Sequence, residues 1–430
     1  MSLELGEIEA VLSSHPEWAE AVHEDLTTAQ GVSTKKGRKG LRGAAVLRLG
    51  ILRAYLQVST RRLSQLVCDS VSLRQFLGLS MWDRTPKRSA IQSNLKKVRP
   101  ETWGLILRGL LLSSEAREHE SADRVRIDCT VAETNVHHPT DSSLLWDCLR
   151  TLNRLLKKTQ RFGFVSDRSW IRAAKKARKK INFANRQARR LPHYRALLSL
   201  LSDALQETKR AIVALRMGSE EDGARRRLLE LLETFVERSR QVADQTRRRV
   251  FEDESVPVAE KIFSIFEDHT DLIRKGKQSE YGHKLVLTVG KTGLVLDCVI
   301  ERGNPSDATL VERQLQRQAA LFGRAPVAAV FDGAFASIEN LRRAKSLGVK
   351  RCAFSKSKGL TPREMAGSRR TYGRLKNFRA GVEGIISDLK RTYGLGRCLW
   401  KGWSGFKAYV WSSVLTFNLV KLARLRLAAT

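Results

Sequence analysis

Strand-like and helical patterns alternate along this chain in an order that admits few folds. Residues 124–131 alternate polar and apolar side chains, as a half-buried strand does. Strand signals then stop, and residues 142–256 carry apolar positions at helical spacings of three and four. Strand signals return after Pro257. The sequence therefore predicts one sheet whose first strand is separated from the others by a large all-α insertion.

The part after the insertion predicts a mixed sheet. Residues 282–289 and 294–300 flank Gly290-Lys291-Thr292-Gly293, which is the pattern of a hairpin. Further strands are predicted at 327–331 and 349–355, and helices at 304–322, 338–347 and 376–390. A three-strand meander followed by alternating helices and strands is the layout of an RNase H-like sheet. We therefore expect an α/β fold: an RNase H-like mixed sheet flanked by helices, with an all-α N-terminal domain and the all-α insertion.

A chain of 430 residues is too long for one ordinary core, so several domains are expected. The patterns place a helical domain at 1–118, the RNase H-like domain at 119–141 and 257–430, and the insertion at 142–256. Asp141 is interpreted as the N-cap of the first helix of the insertion.

The N-terminal hundred residues predict a small helical domain that contacts DNA. Thr85 and Pro86 suit an N-cap and a first helical position, and open a helix running to Val98. Lys87 and Arg88 lie in this helix among Gln and Asn residues, which suits phosphates and base edges. A helix-turn-helix-like DNA-binding domain is the functional interpretation. A helical bundle with an ordinary basic surface is the alternative.

The charge of the chain favours a polyanionic partner. Lys and Arg number 78 against 45 Asp and Glu, a formal charge of +33, and nucleic acid is the commonest partner for such a charge. No apolar run approaches the 18 residues of a spanning helix, so no membrane partner is expected. The first 25 residues are too polar for a signal peptide, and the six scattered cysteines favour a reducing cytoplasm without zinc.

Two segments concentrate the positive charge. The run from Lys35 to Gly40 is interpreted as either a phosphate-binding arm or a linker. Residues 150–190 hold 15 Lys and Arg but a single acid, Asp167. This block predicts a basic face of the insertion that binds the DNA backbone, with a merely solvated face as the alternative. Its candidate contacts are Lys175, Lys176, Lys179 and Lys180.

Two aspartates stand at positions where strands rarely carry an acid. Asp128 lies within the predicted strand 124–131, where Asp is unfavourable, although a solvent-facing residue is the alternative. Asp332 directly follows the buried strand 327–331. Ligands of open α/β sheets collect at the carboxyl ends of strands. Both residues are therefore candidates for a functional site.

The helix predicted at 376–390 sorts its polar residues by angle. Lys376, Arg379, Glu383 and Lys390 fall within roughly 60° of one another, and the aliphatic residues gather on a separate face. One carboxylate among three cations suits an anionic ligand, or a metal that carries one. A solvated face with helical ion pairs is the alternative.

Three carboxylates without Cys or His partners suit a hard cation. Asp128, Asp332 and Glu383 come from the first strand, a later strand and the following helix, which an RNase H-like sheet brings together. Their oxygen ligands suit Mg²⁺, for which Mn²⁺ can substitute. Two such ions serve phosphoryl transfer, and the cations beside Glu383, Lys376 among them, would hold the phosphates.

Over residues 39–422 the chain resembles the DDE transposases of bacterial insertion sequences. The resemblance is carried by Ile-Asp-Cys-Thr-Val-Ala-Glu-Thr-Asn around Asp128, by Phe-Asp-Gly-Ala-Phe-Ala-Ser around Asp332, and by Arg379-x3-Glu383-x6-Lys390. Related families carry Tyr-x2-Arg-x3-Glu-x6-Lys around the catalytic Glu. This chain has a Lys three residues before the Arg, where the Tyr would stand.

The resemblance implies a mechanism and partners. Asp128, Asp332 and Glu383 would hold two Mg²⁺ ions, water would cut a strand at each end of the element, and the released 3′-OH would attack target DNA. Arg379 and Lys390 would position phosphates, and so would Lys284, which precedes the second strand. The partners would be double-stranded element ends and target DNA. The protein would work as a homodimer or larger assembly near the bacterial nucleoid.

Two other functions stay open on the sequence alone. One is an inactive or domesticated DNA-binding relative, and the other is an RNase H-like nuclease without strand transfer.

Overall fold

A computed structural model describes residues 1–28, 40–166, 168–218, 222–276 and 278–429. The chain divides into two compact units: residues 1–135 together with 273–430, and residues 136–272. Asp167 and all of the basic run 35–40 except Gly40 lie outside the described residues.

The first unit begins with helices. They are α1 (Leu3–Ser14), α2 (Pro16–Thr28), α3 (Gly43–Tyr55), α4 (Thr60–Asp69), α5 (Val71–Phe76), α6 (Arg88–Leu95), α7 (Pro100–Leu112) and α8 (Ser114–Arg117). The first two were not predicted from a segment in which seven of the first 25 residues are acidic. Their apolar residues are nevertheless spaced for a helix, and Ile8, Trp18 and Val22 are fully or almost fully buried.

The helix predicted from Pro86 begins later than expected. Lys87 is the N-cap of α6, and no side chain caps the helix. The Pro86 carbonyl instead accepts a hydrogen bond from the Ser64 hydroxyl at 2.8 Å, which ties this residue to α4. The buried Arg74 donates to the carbonyls of Ser80 and Asp83 and so fixes the turn before α6. The start of the helix is thus determined by tertiary contacts rather than by the Thr-Pro signal.

The second unit consists largely of four helices around its own apolar core. They are α9 (Asp141–Thr159), α10 (Ile171–Phe183), α11 (Gln187–Arg216) and α12 (Gly223–Phe251). The predicted cap at Asp141 is wrong: Thr140 and Ser143 form a capping box, and Asp141 is the first helical residue. Asp141 is ion-paired at 3.0 Å with Arg249 of α12. The all-α insertion was expected at 142–256, and this compact unit spans 136–272.

A mixed sheet forms the centre of the first unit. Its strands are β1 (Arg124–Thr134), β2 (Asp271–Lys275), β3 (Gln278–Val289), β4 (Val295–Ile300), β5 (Ala328–Phe331), β6 (Arg351–Phe354) and β7 (Arg397–Cys398). The order is β2-β3-β1-β5-β6, with β4 beside β3 and β7 beside β1. The central strand β1 is antiparallel to β3 and parallel to β5, and β5 is parallel to β6. The predicted RNase H-like α/β fold is confirmed.

The predicted hairpin joins β3 and β4. The Gly290 amide donates to the Leu294 carbonyl at 2.9 Å, and Gly293 has φ +95°, a conformation that favours glycine. The edge strand β2 and the two-residue strand β7 were not predicted, because segments this short carry too little alternation.

The helices that flank the sheet are α13 (Val311–Phe322), α14 (Ile338–Ser346), α15 (Pro362–Ala366), α16 (Arg369–Arg391) and α17 (Gly402–Leu427). Ser337 caps α14, as its position suggests. The loop expected at 356–374 contains α15, which Thr361 and Glu364 start with a capping box, and the first six residues of α16. The largely buried α17 packs against α1, α3 and α7, so the N-terminal helices share one core with the sheet.

None of the described helices combines the length and apolar character needed to span a membrane.

Candidate active site

The register of two parallel strands places two aspartates level with each other. Ile127 of β1 lies opposite Phe331 of β5. The next residues, Asp128 and Asp332, therefore stand side by side where β5 ends. Asp128 remains within β1, opposite Leu287 of β3. The centre of the sheet thus presents two carboxylates at one edge, which is where ligands of α/β sheets bind.

Helix α16 is held against β1 by a buried arginine. Arg126, two residues before Asp128, donates from Nη1 to the Phe378 carbonyl at 2.9 Å, and its guanidinium lies 4.6 Å from the Phe378 ring centroid. Burial lowers the pKa of Arg126 from its ordinary value. Gly381 permits this approach, since a Cβ there would stand 2.2 Å from Nη1 of Arg126. The docking fixes which face of α16 meets the aspartates.

Arg379 of α16 contacts all three predicted acids. Its Nη2 atom lies 3.2 Å from Asp128 Oδ2 and 3.1 Å from Asp332 Oδ1, and its Nη1 atom lies 3.3 Å from Glu383 Oε1. The side chains are 14%, 39% and 69% exposed for Asp128, Asp332 and Glu383. One guanidinium therefore contacts all three carboxylates, of which Asp128 is the most buried and Glu383 the most exposed.

The environment of Asp332 favours its ionised form. Burial by itself raises the pKa of this carboxyl. Hydrogen bonds from the Gly333 and Ala334 amides and the Ser355 hydroxyl (2.9 Å), with the positive charge of Arg379, outweigh burial and lower the pKa below its ordinary value. Asp332 is thus a carboxylate at neutral pH, as a metal ligand must be.

Three residues beside the acids were missed in the sequence. Arg126 shares a strand face with Asp128, and that alternation could have identified it. Ser355 and Lys356 follow β6, the parallel neighbour of β5, and so reach the same edge of the sheet. The Lys356 side chain lies across Gly333, where a Cβ would meet its Cγ at 2.5 Å. The rule that strand ends converge could have identified both.

The donor chemistry fits a hard divalent cation. Among the described residues, no group of three or more His, Cys, Asp or Glu is close enough to hold a metal ion. Each of the three carboxylates instead contacts the Arg379 guanidinium. Three carboxylates from three elements nevertheless supply the oxygen ligands that Mg²⁺ and Mn²⁺ prefer. The positive charge of Arg379 occupies the centre of this set.

The other predicted contacts of the first unit are spread over several surfaces. Lys376 is exposed one turn before Arg379, Lys390 is partly exposed two turns beyond Glu383, and Lys87 and Arg88 are exposed where α6 begins.

Lys284 does not suit its predicted role. It is 6% exposed, and its Nζ donates to the Pro305 carbonyl at 2.6 Å and to Asp307 Oδ1 at 2.8 Å. A phosphate contact was expected, but the ammonium group is used inside the fold.

The basic block of the insertion forms the exposed face of α10. Lys175, Lys176, Lys179 and Lys180 are all exposed. The opposite face of α10 buries Ala174, Ala177 and Ile181 in the core of the second unit. The helix is therefore amphipathic, with lysines as its solvent side.

Comparison with protein families agrees with this fold. The Transposase DDE domain family matches residues 238–419, and the Transposase domain (DUF772) family matches residues 5–97. The first match contains Asp332, Arg379 and Glu383, whereas Asp128 precedes it. Comparisons with curated proteins and with solved structures give no significant match. Both matches are to transposase families, and together they support a DDE transposase of an insertion sequence.

Proposed function

We propose that this protein cuts DNA at the ends of an insertion sequence in a metal-dependent reaction and transfers the 3′-OH to target DNA. The supporting observation is the convergence of Asp128, Asp332 and Glu383 on Arg379. These carboxylates come from the central strand, the end of its parallel neighbour and the following helix, and two of them lie inside the DDE domain match.

The three carboxylates are the proposed ligands of two Mg²⁺ ions, for which Mn²⁺ would substitute. Bound ions of this kind supply an activated water and stabilise the leaving oxygen of phosphoryl transfer. Asp128 is the least exposed of the three and would fix the position of the site. Glu383 is the most exposed and would adapt to the DNA.

Arg379 has two proposed uses. In the protein alone it neutralises carboxylates that would otherwise repel one another. When those carboxylates engage cations, its planar fork suits a DNA phosphate, which it can bind with two parallel hydrogen bonds. Lys376, on the same helix, is proposed to contact a neighbouring phosphate.

Double-stranded DNA is the proposed partner, and it would also contact surfaces outside the acid cluster. The net charge of +33 and the exposed lysines of α10 suit a long stretch of backbone, and Lys87 and Arg88 suit contact by the N-terminal helices. Because both ends of an element must be cut and joined to one target, we propose a homodimer or larger assembly on DNA.

The experiment that tests this function uses the DNA that flanks the gene, labelled at both ends. It is incubated with the wild type and with Asp332→Ala, in Mg²⁺ and in EDTA. Cut and joined products should appear only with the wild type in Mg²⁺, while Asp332→Ala keeps its DNA affinity within a few fold.

Two results would contradict the proposal. Cutting without joined products would indicate a nuclease. Tight binding without cutting under any metal would indicate a DNA-binding protein that has lost its chemistry.

A further inference from the structure

A large groove of the first unit is lined by Lys390, near the C-terminal end of α16. Its volume is about 1340 Å³. One wall comes from α3, the end of α6 and the start of α7, and the other comes from the end of α16, β7 and the start of α17. We call it the basic groove. Asp128, Asp332 and Glu383 are not among the residues that line this groove.

Cations line both walls of the basic groove. Lys96 and Lys97 stand on the N-terminal wall, and Lys390, Arg397 and Lys401 stand on the other. Three glutamates also line the groove, Glu101, Glu133 and Glu280, and Glu101 is paired with Lys407 at 2.9 Å, so cations outnumber acids. An extended anionic ligand that passes between the two walls matches this arrangement. The sugar-phosphate backbone of a nucleic acid is such a ligand.

The floor of the groove is aromatic. The Arg53 guanidinium lies 4.9 Å from the ring centroid of Trp400 and 5.6 Å from that of Tyr409. Burial lowers the pKa of Arg53 from its ordinary value, and its Nε atom has no hydrogen-bond partner. Trp400 keeps part of its surface exposed, whereas Tyr409 is buried beneath it and donates its hydroxyl to the Gly394 carbonyl at 2.7 Å, so Trp400 is the ring that a base could reach. Basic walls over an aromatic floor are the combination by which proteins bind single-stranded nucleic acid.

The size of the groove favours a single nucleic-acid strand over a duplex. Its volume of about 1340 Å³ exceeds the roughly 300–1,000 Å³ of small-molecule pockets. The same volume equals a cube with edges of about 11 Å, less than the major groove of B-DNA alone, which is roughly 12 Å wide. A few nucleotides of a single strand therefore fit within the groove, whereas a duplex would not enter it whole.

The groove also lies within reach of the proposed chemistry. Lys390 follows Glu383 by seven residues of α16, which is about 10 Å along a helix axis. We propose that the basic groove binds a single DNA strand, and that it holds the unpaired strand next to the bond that the acids cut. The second half of this statement rests on the proposed function, and the binding itself does not.

Binding is measured by the fluorescence anisotropy of a labelled oligothymidine of about ten nucleotides and of a duplex of the same length, in EDTA so that no cutting occurs. Two groove variants remove one pair of charges each: Arg397→Gln with Lys401→Gln, and Lys96→Gln with Lys97→Gln. A control variant, Arg342→Gln with Lys345→Gln, removes the same charge from the exposed side of α14.

Each groove variant should bind the single strand about tenfold more weakly, and its slope of log K against log salt should be less steep by about 0.7 for each lost phosphate contact. Duplex affinity should stay within about twofold, and the control should match the wild type. Cross-linking of the wild type to a strand containing 4-thiothymidine should label the peptide around residues 390–401. Far-UV circular dichroism checks that the variants are folded.

Unchanged single-strand affinity in both groove variants would overturn the proposal, and so would equal losses for single strand and duplex. Labels confined to other peptides would overturn it as well. Because these readouts need no cutting, the groove proposal stands if the wild type binds one strand here but yields no cut or joined products. That second result would count against the proposed function alone.

Discussion

The acid cluster of the first unit and the lysine face of α10 use charge in opposite ways. At the cluster, each charge has a named partner at a defined distance, and one guanidinium serves three carboxylates. On α10, the lysines project from a helix whose other face is buried in the core of the second unit. Fixed pairs suit chemistry that needs positions within a fraction of an ångström, whereas exposed lysines suit a backbone that is bound at any sequence. Substitutions in the two regions should therefore affect different measurements.

The largest effect is expected for Arg379→Gln. Loss of the shared cation leaves three close carboxylates without compensation and removes a proposed phosphate contact. Cutting at saturating DNA should fall by about 10²–10³-fold, which is typical for removal of one group that stabilises a transition state. Added Mg²⁺ should raise the melting temperature of the variant more than that of the wild type, because the uncompensated carboxylates bind cations more tightly.

The matched control is Arg374→Gln, on the same helix, exposed and without an assigned DNA contact. It should change the cutting rate by no more than a few fold. Equal effects of the two substitutions would show that α16 contributes only general positive charge.

The next effect is expected from replacing the four α10 lysines together by glutamine. If each contacts a phosphate, the slope of log K against log salt for duplex DNA should become less steep by about 3 to 4. The cutting rate at saturating DNA should remain that of the wild type. A control neutralises exposed cations of the other helices of the second unit, namely Lys209, Arg226, Arg227 and Arg240. The same change of slope in this control would mean that the α10 face has no special role.

A smaller effect is expected for Gly381→Ala in α16. Its Cβ would stand 2.2 Å from Nη1 of Arg126, which is buried and bonded to the Phe378 carbonyl and so has little room to move. Calorimetry should show a loss of about 1–3 kcal/mol in the free energy of unfolding. Gly384→Ala, three residues on, meets nothing within 4 Å and should instead gain roughly 0.5–1 kcal/mol. Similar results for both alanines would refute the docking role of Arg126.

The smallest effect concerns pH. The pKa of Asp332 is lowered in the folded protein, so ionisation of this group favours folding above its ordinary pKa of 3.8. That contribution is lost as the pH falls through the lower, folded-state value. The difference in melting temperature between the wild type and Asp332→Asn should therefore be constant above about pH 5 and shift against the wild type below about pH 4. A difference that is independent of pH would show that the Asp332 carboxylate is not stabilised by its neighbours.

The sequence predicted those parts of the fold that depend on local patterns. Alternation revealed β1 and the β3–β4 hairpin, and Ser337 marked the start of α14. Angular sorting placed Arg379 and Glu383 on one face of α16, where their side chains do meet. These features are fixed by neighbours a few residues away.

The remaining features depend on distant partners. Lys284 can be buried because Asp307 and the Pro305 carbonyl accept hydrogen bonds from its Nζ. The residues near Lys284 in the sequence do not indicate these partners. Arg126 holds α16 through Phe378, a residue 252 positions later. The alternation of β1 places Arg126 and Asp128 on one face but does not identify the helix that covers it. Tertiary packing, rather than propensity, determined these positions.

The place of the helical unit in the chain has a consequence for synthesis on the ribosome. Arg126 of β1 pairs with Val289 of β3 and Val330 of β5. More than 150 further residues must therefore be synthesised before either pair can form. The four helices of the second unit are complete earlier, and their contacts, such as Asp141 with Arg249, span shorter stretches of the chain than the pairs of Arg126 do. Contacts of shorter separation form faster. The first unit closes last, when Arg424 and Arg426 of α17 pair with Glu4 and Glu7 of α1. Translation would therefore finish the acid cluster only near its end, after the helical unit has had time to fold.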